Sequence, residues 1–453
     1  MPTTDCLPQV EFDFHPDRAI TVTADAPRVS SDGGWLLLRQ ADERLGLTAG
    51  FAACLPESRA ASRIRHPLLE QVRQRVYQIA LGYEDANDAA TLRADPVLKT
   101  ACDLPPDSPQ QLSSQPTLSR LENGATGATL NALTAWYEAA YVAALPADTS
   151  FVLLDIDPTD DETHGAQQLS FFHGFYDHHM LHPLLVFDGE GELVTVLLRP
   201  GNAHAARSAA IVLRRLIRAI KRRFPAAQVL VRADSGFAVP RVLDALEQLD
   251  AELGEVEISI GLAQNPRLLA LAREPMRAAQ DRHEETGAHV RLFRTLRYAA
   301  LTWTHERTVV LKAEHYTKGA NPRFVLTSLH DFDPRQVYDD VYCPRGQCEN
   351  HIKDFKRALA ADRLSCHRFV ANCFRLLLHA AAYRLLRALR VAVAAVSPAE
   401  GRVQFDTLRL RLLKVAAHVR QSARRIWVQL PRVFPAWRLF TAVARFLAAP
   451  APS

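Results

Sequence analysis

Phe151-Val152-Leu153-Leu154-Asp155-Ile156-Asp157-Pro158 narrows the fold more than any other segment. A short apolar run that closes on two carboxylates, before a proline that biases the preceding backbone toward extension, reads as a buried strand with acids at its C-terminal end. Met180 to Phe187, the glycine-bearing turn Asp188-Gly189-Glu190-Gly191 and Glu192 to Leu198 follow as strand, turn and strand. Asn202 is placed to cap a helix to about Phe224, apolar along Ala209, Val212, Leu213, Leu216, Ile217 and Ile220. Gln228 to Ala233 is again a strand, ended by Asp234-Ser235-Gly236, and a helix starts near Pro240. Val256, Ile258, Ile260 and Leu262 alternate with polar or small residues as a half-buried strand. The order is β-β-β-α-β-α-β.

The rest of the chain divides around this block. Residues 1–145 read as a mainly helical domain after a short extended start (Ala19 to Ala24), with a helix over Ser62 to Gly82 that has arginines in or beside its early turns (Arg59, Arg63, Arg65, Arg73, Arg75). Residues 146–264 are the first part of the α/β core. Residues 265–339 pass, after a short polar segment, into strand-like stretches at 290–302, 308–313 and 324–329, a β-rich insertion. Residues 340–395 return to the core as helix, and 396–453 are a basic helical region. From Val341 to Ser453 there are 20 Lys and Arg against 5 Asp and Glu, whereas the whole chain carries a net charge of only +4. A polyanion is the natural partner of such asymmetry. At 48% hydrophobic and 23% charged residues, the 453-residue chain is globular rather than disordered or fibrous. It has no apolar run long enough to span a bilayer and no leader-like start, which predicts a cytoplasmic protein without membrane contact. Seven scattered cysteines, never spaced as CxxC, predict reduced thiols.

Asp157 and Asp234 stand at the ends of strands in the order expected of a ribonuclease H-like core, where a third acid arrives from a later helix. Binding two divalent cations requires several hard oxygen ligands converging on one space, and strand termini hold them in fixed geometry. Glu349 is the third candidate. On a regular helix Arg345, Glu349 and Lys356 lie within about 40° of one another, presenting cation, acid and cation on one face. Asp155, two residues before Asp157 and so on the same side of the strand, is the substitute for the first acid.

The spacing Tyr-x2-Arg-x3-Glu-x6-Lys, met by Tyr342, Arg345, Glu349 and Lys356, resembles the signature of bacterial IS4-type DDE transposases. Asp155-Ile156-Asp157-Pro158-Thr159-Asp160-Asp161, Asp234-Ser235-Gly236-Phe237 and Asp362-Arg363-Leu364-Ser365-Cys366-His367 resemble the IS1380 group of insertion-sequence transposases. So do Leu81-Gly82-Tyr83-Glu84-Asp85-Ala86-Asn87-Asp88 and Ser114-Gln115-Pro116-Thr117-Leu118-Ser119-Arg120, so that nearly the whole chain is covered. The resemblance implies a ribonuclease H-like catalytic core with a β-rich insertion before the glutamate helix. It also implies two Mg²⁺ or Mn²⁺ ions held by Asp157, Asp234 and Glu349, with Tyr342, Arg345 and Lys356 on DNA. The expected function is cutting transposon ends and joining them to target DNA, acting on double-stranded DNA (terminal inverted repeats and target) as a homodimer on paired ends, with residues 1–145 as the DNA-binding domain whose arginine-rich helix near Arg59 to Arg75 is the candidate for recognising those ends. A metal-dependent nuclease of the same fold and an inactive DNA-binding derivative are the alternatives.

Simpler readings accompany these. Acids at strand ends are commonly caps, and Glu349 with Arg345 and Lys353 could be ordinary helix pairs worth about 0.2–0.5 kcal/mol each. His164, His173, His178, His179 and His182 crowd together at spacings that match no zinc pattern. Trp303 is assigned to core packing of the insertion rather than to stacking on a base.

Overall fold

The computed structural model describes residues 10–449 apart from 13–15, 17, 19, 24, 25 and 27. The expected extended start at 19–24 and the tail at 448–453 fall partly outside these residues; within them, Ile20–Val22 pairs antiparallel with Val10–Phe12. The described chain forms two compact units. One comprises 50–56 and 120–384; the other gathers the residues up to Ala49, Glu57–Ser119 and those from Leu385 onward.

The larger unit is mixed α/β around one twisted sheet. Its strands are β1 (Phe151–Pro158), β2 (Leu184–Asp188), β3 (Leu193–Leu197), β4 (Gln228–Ala233), β5 (Val256–Leu262), β6 (Val290–Tyr298), β7 (Arg307–Tyr316) and β8 (Arg323–Thr327), with Gly319–Ala320 paired to the end of β7. They lie in the order β6-β7-β8-β5-β4-β1-β2-β3. The pairs β1–β4 and β4–β5 are parallel and the remainder antiparallel.

Alternation along these strands sorts the side chains. Val152, Leu154, Ile156, Val229, Val231, Ile258 and Ile260 pack against helices α1 (Ala209–Arg223) and α2 (Pro240–Leu253), as the apolar stripes of both helices dictate. Leu153, Asp155, Asp157, Leu230, Arg232, Ser259 and Gly261 therefore belong to the opposite side. There Leu230, Val310 and Val325 pack with Val337 and Tyr338.

The structure departs from expectation in five places. Met180 to Phe187 is two strands, because Pro183 interrupts the ladder: His178–Leu181 joins a small sheet with Asp161–Glu162 and Phe171–His173, and Leu184 starts β2. Helix α1 begins at Ala209 rather than after Asn202. The preceding loop is tied by buried Arg199, which donates to the carbonyls of His182, His204, Ala205 and Arg207. Residues 265–339 open on a 21-residue helix, α3 (Pro266–Thr286), started by the Asn265 cap and closed by Gly287 at φ 66. Its buried stripe is only Leu268, Ala272 and Ala279, with Pro275 inside, so its helical pattern is weak in the sequence. The strands that follow extend the central sheet, and Trp303 packs, half-buried, against the main core. Finally, the C-terminal region is not helical throughout, since β9 (Ala417–Ser422) and β10 (Arg425–Gln429) form an antiparallel ribbon.

In the other unit, helix Leu68–Ala80 is buried on all sides from Gln71 to Ala80. Arg73 pairs with Asp103, and Arg75 donates to the carbonyls of Glu84 and Tyr83. These two arginines hold the unit together instead of facing a ligand.

Replacing Arg199 by Met removes four carbonyl partners at once. Its urea midpoint should fall by the equivalent of about 2–4 kcal/mol, whereas Arg222→Met on the exposed side of α1 should change it by under about 0.5 kcal/mol.

Candidate active site

Register brings the first two acids together. Ala233 pairs with Ile156 across the parallel β1–β4 ladder, so the next residues, Asp234 just past β4 and Asp157 next to last in β1, stand at the same level. Both are at the C-terminal ends of adjacent parallel strands, where α/β sheets open their ligand crevices. Asp157 is largely buried. Asp234 is half-buried and starts a 3₁₀ turn, its Oδ1 accepting from Gly236 N at 2.9 Å.

Residues 334–358 run as one helical segment opposite this edge, but not as a regular α-helix. Val337–Tyr342 is a wide π turn, Cys343–Arg345 a tight 3₁₀ turn, Gly346–Lys353 is α-helix α4, and Asp354–Ala358 is again π. Pro344 lacks the N–H that a regular ladder would use, and such turns recur where a helix carries chemistry. The change of pitch replaces the single cation-acid-cation face with separate destinations. Arg345 donates to Asp157 Oδ2 at 2.8 Å, while Lys356 donates to Asp160 Oδ1 at 2.6 Å and stands 3.8 Å from Asp362. Glu349 is exposed on α4.

Electrostatics tie the three acids into one group. Burial pushes the Asp157 carboxyl up to about 7; Arg345 opposes that rise, and Asp234 and Glu349 add to it. The Arg345 guanidinium, although burial works against it, is held above its ordinary value by Asp157, Tyr342 and Asp234. A buried carboxyl with two further carboxylates acting on it belongs to a donor set suited to a hard divalent cation. Among the described residues, however, no group of three or more His, Cys, Asp or Glu side chains is gathered to hold a metal ion, and Arg345 takes the Asp157 carboxylate instead.

Asp155 has a different task. Arg232, directly across the ladder, grips both its oxygens at 2.7 Å and sends its third nitrogen to the Val341 carbonyl, 2.7 Å away. Tyr342 lies against Gly261 of β5, where a side-chain carbon would collide with the phenol oxygen. Arg232 and Gly261 escaped the sequence reading. A charged residue and a bare backbone in otherwise apolar strands were the available signals. Asp160 and Asp362, the partners of Lys356, were visible only as parts of motifs. Of the clustered histidines, His178 lies 3.6 Å from Asp160, and the His173 and His182 rings meet at 5.0 Å.

The family described as transposase DDE domain group 1 matches residues 12–451. The chain belongs to that family. This DDE transposase is a DNA transposase, an enzyme of DNA recombination, and its family works with divalent metal ions. A cryo-EM structure of the piggyBac transposase synaptic complex with hairpin DNA is similar to it at 10% identity, covering 93% of this chain and 86% of that one with a TM-score of 0.44. No curated protein matches the chain. Among the described residues of the transposase, no helix is long and apolar enough to cross a membrane.

Two substitutions test this construction. Arg232→Met leaves Asp155 buried without its partner and should cost about 3–5 kcal/mol in chemical denaturation. Gly261→Ala should displace the Tyr342 ring at a cost of about 1–3 kcal/mol, seen as a changed tyrosine environment in near-ultraviolet circular dichroism.

Proposed function

We propose that this transposase is of the IS1380 group of insertion sequences and that Asp157, Asp234 and Glu349 hold its metal ions, two Mg²⁺ or Mn²⁺, in a ribonuclease H-like core. The observation that carries the proposal is the placing of Asp157 and Asp234 at one level at the C-terminal ends of parallel strands, with Glu349 adding to the same electrostatic group. The strand sequence β3-β2-β1-β4-β5 within the sheet supports the ribonuclease H-like reading.

Bound there, such ions supply activation of water, or later of a 3′-hydroxyl, and charge relief at the leaving oxygen. The chain's own residues prepare the site. Arg345, paired with Asp157, moves to a phosphate oxygen when the scissile strand arrives, a charge-assisted exchange of one anion for another. Lys356, drawn between Asp160 and Asp362, holds a second phosphate by the same exchange. Tyr342, seated on Gly261, packs its phenol beside that strand. The transposase then cuts the ends of its element and joins them to target DNA, as a homodimer when two ends are processed together.

The test is cleavage of a duplex carrying the element's end, with Mg²⁺. Asp157→Asn, Asp234→Asn and Glu349→Gln should each lower cleavage at least about a hundredfold, with binding of the duplex retained. Nicking by Asp234→Asn at the native rate would refute the assignment. Release of ends that are never joined to target DNA would mark a nuclease instead.

A further inference from the structure

Between Thr407 and Ser453 the chain carries nine Lys and Arg and no Asp or Glu. The structure sorts these cations. Arg409 is buried and donates to the Ala80 carbonyl and to Asp406. Arg411 forks onto Glu400. Lys414 stands 3.3 Å from the Asp32 carboxylate and 3.8 Å from the centre of the Tyr83 ring. Arg420, Arg424 and Arg425 are exposed on the β9–β10 ribbon, and among the described residues no carboxylate pairs with them.

The ribbon presents one outward face. Its ladder pairs His418 with Gln429, Arg420 with Trp427, and Ser422 with Arg425, and all six residues are exposed. Ala417 and Val419, on the other side of β9, are buried. The inner edge of β9 pairs with Val29–Ser30, and Val419 N donates to the Arg28 carbonyl at 2.9 Å, so the ribbon is fixed to its unit. Trp427 is 41% exposed beside two arginines, Arg420 across the ladder and Arg425 at 6.0 Å from its ring. An aromatic held out between uncompensated guanidiniums, on a face without any acid, is complementary to a phosphate backbone. A two-stranded ribbon also has the width to lie in the major groove.

We infer that the outward face of the β9–β10 ribbon is a duplex-DNA-binding surface of this transposase, with Arg420, Arg424 and Arg425 on phosphates and Trp427 buried against the DNA. A second copy of the chain is the poorer occupant, because a two-fold contact of this face with itself would set arginines against arginines. The inference rests on membership of the transposase family and not on the carboxylate assignment.

The experiment uses the full chain in EDTA, so that failure of the metal-ligand proposal leaves it intact. Binding of a short fluorescein-labelled duplex of arbitrary sequence is followed by anisotropy over a range of salt concentrations. Arg420→Gln should lower the slope of log K against log salt by about 0.9, and the triple variant with Arg424→Gln and Arg425→Gln by about 2 to 3. Arg411→Gln, which removes the same charge from a cation already paired to Glu400, should leave the slope unchanged. The indole quenching that accompanies DNA binding should be lost in Trp427→Phe. An unchanged slope in the triple variant, or an equal fall in Arg411→Gln, overturns the inference. So does a shift in sedimenting mass of the triple variant with its salt slope intact, which would assign the face to contact between copies.

Discussion

Parallel pairing of β1 with β4 places the carboxylates of Asp157 and Asp234 side by side, and burial of Asp157 opposes its charge, so that it calls for a cation close by. That cation is Arg345, which reaches Asp157 from a helical segment more than a hundred residues later in the chain. The rest of the site is arranged around this need. The π and 3₁₀ turns set the pitch that delivers Arg345 to Asp157 and Lys356 to Asp160. Strand alternation keeps the apolar side of the same strands against α1 and α2. One face of these strands is thus committed to the main apolar core, and the other carries the charged site beside a smaller apolar cluster around Leu230.

Positive charge in this protein is of two kinds. Much of it is internal: Arg73, Arg75, Arg199, Arg232 and Arg409 each satisfy carboxylates or carbonyl oxygens within their own unit, doing structural work that an apolar side chain could not. Some of the rest lies outside, and on the C-terminal ribbon three exposed guanidiniums have no acid paired with them among the described residues. A net charge of +4 conceals this division completely.

The succession of strands and helices from Phe151 to Leu262 was legible because each element carries its own signal, an apolar run, an alternation or a 3.6-residue stripe. Asp157 and Asp234 were legible as strand-end residues for the same reason. Helix α3 was obscured by its thin apolar stripe and its internal proline. The ribbon was obscured because Trp427 stands on its exposed face, so that Ile426-Trp427-Val428 shows no alternation of apolar and polar residues. The union of β6, β7 and β8 with the central sheet could not be read locally, because pairing of β5 with β8 joins residues that are distant in sequence. The arginines of Leu68–Ala80 misled for a related reason: Asp103, which neutralises Arg73, arrives from a different part of the chain. A charged side chain declares its chemistry in the sequence and its partner only in the fold.

Arg232 joins three pieces of chain, gripping Asp155 on β1 from its own place on β4 and the Val341 carbonyl at the threshold of Tyr342. Because Asp155 is two residues from Asp157, any sliding of the helical segment is felt as a pull on the strand that ends in the site. This arginine works as a tie rod, and evolution could relax it only by altering both ends in step. Among natural relatives, positions 155 and 232 should therefore be inherited as a couple.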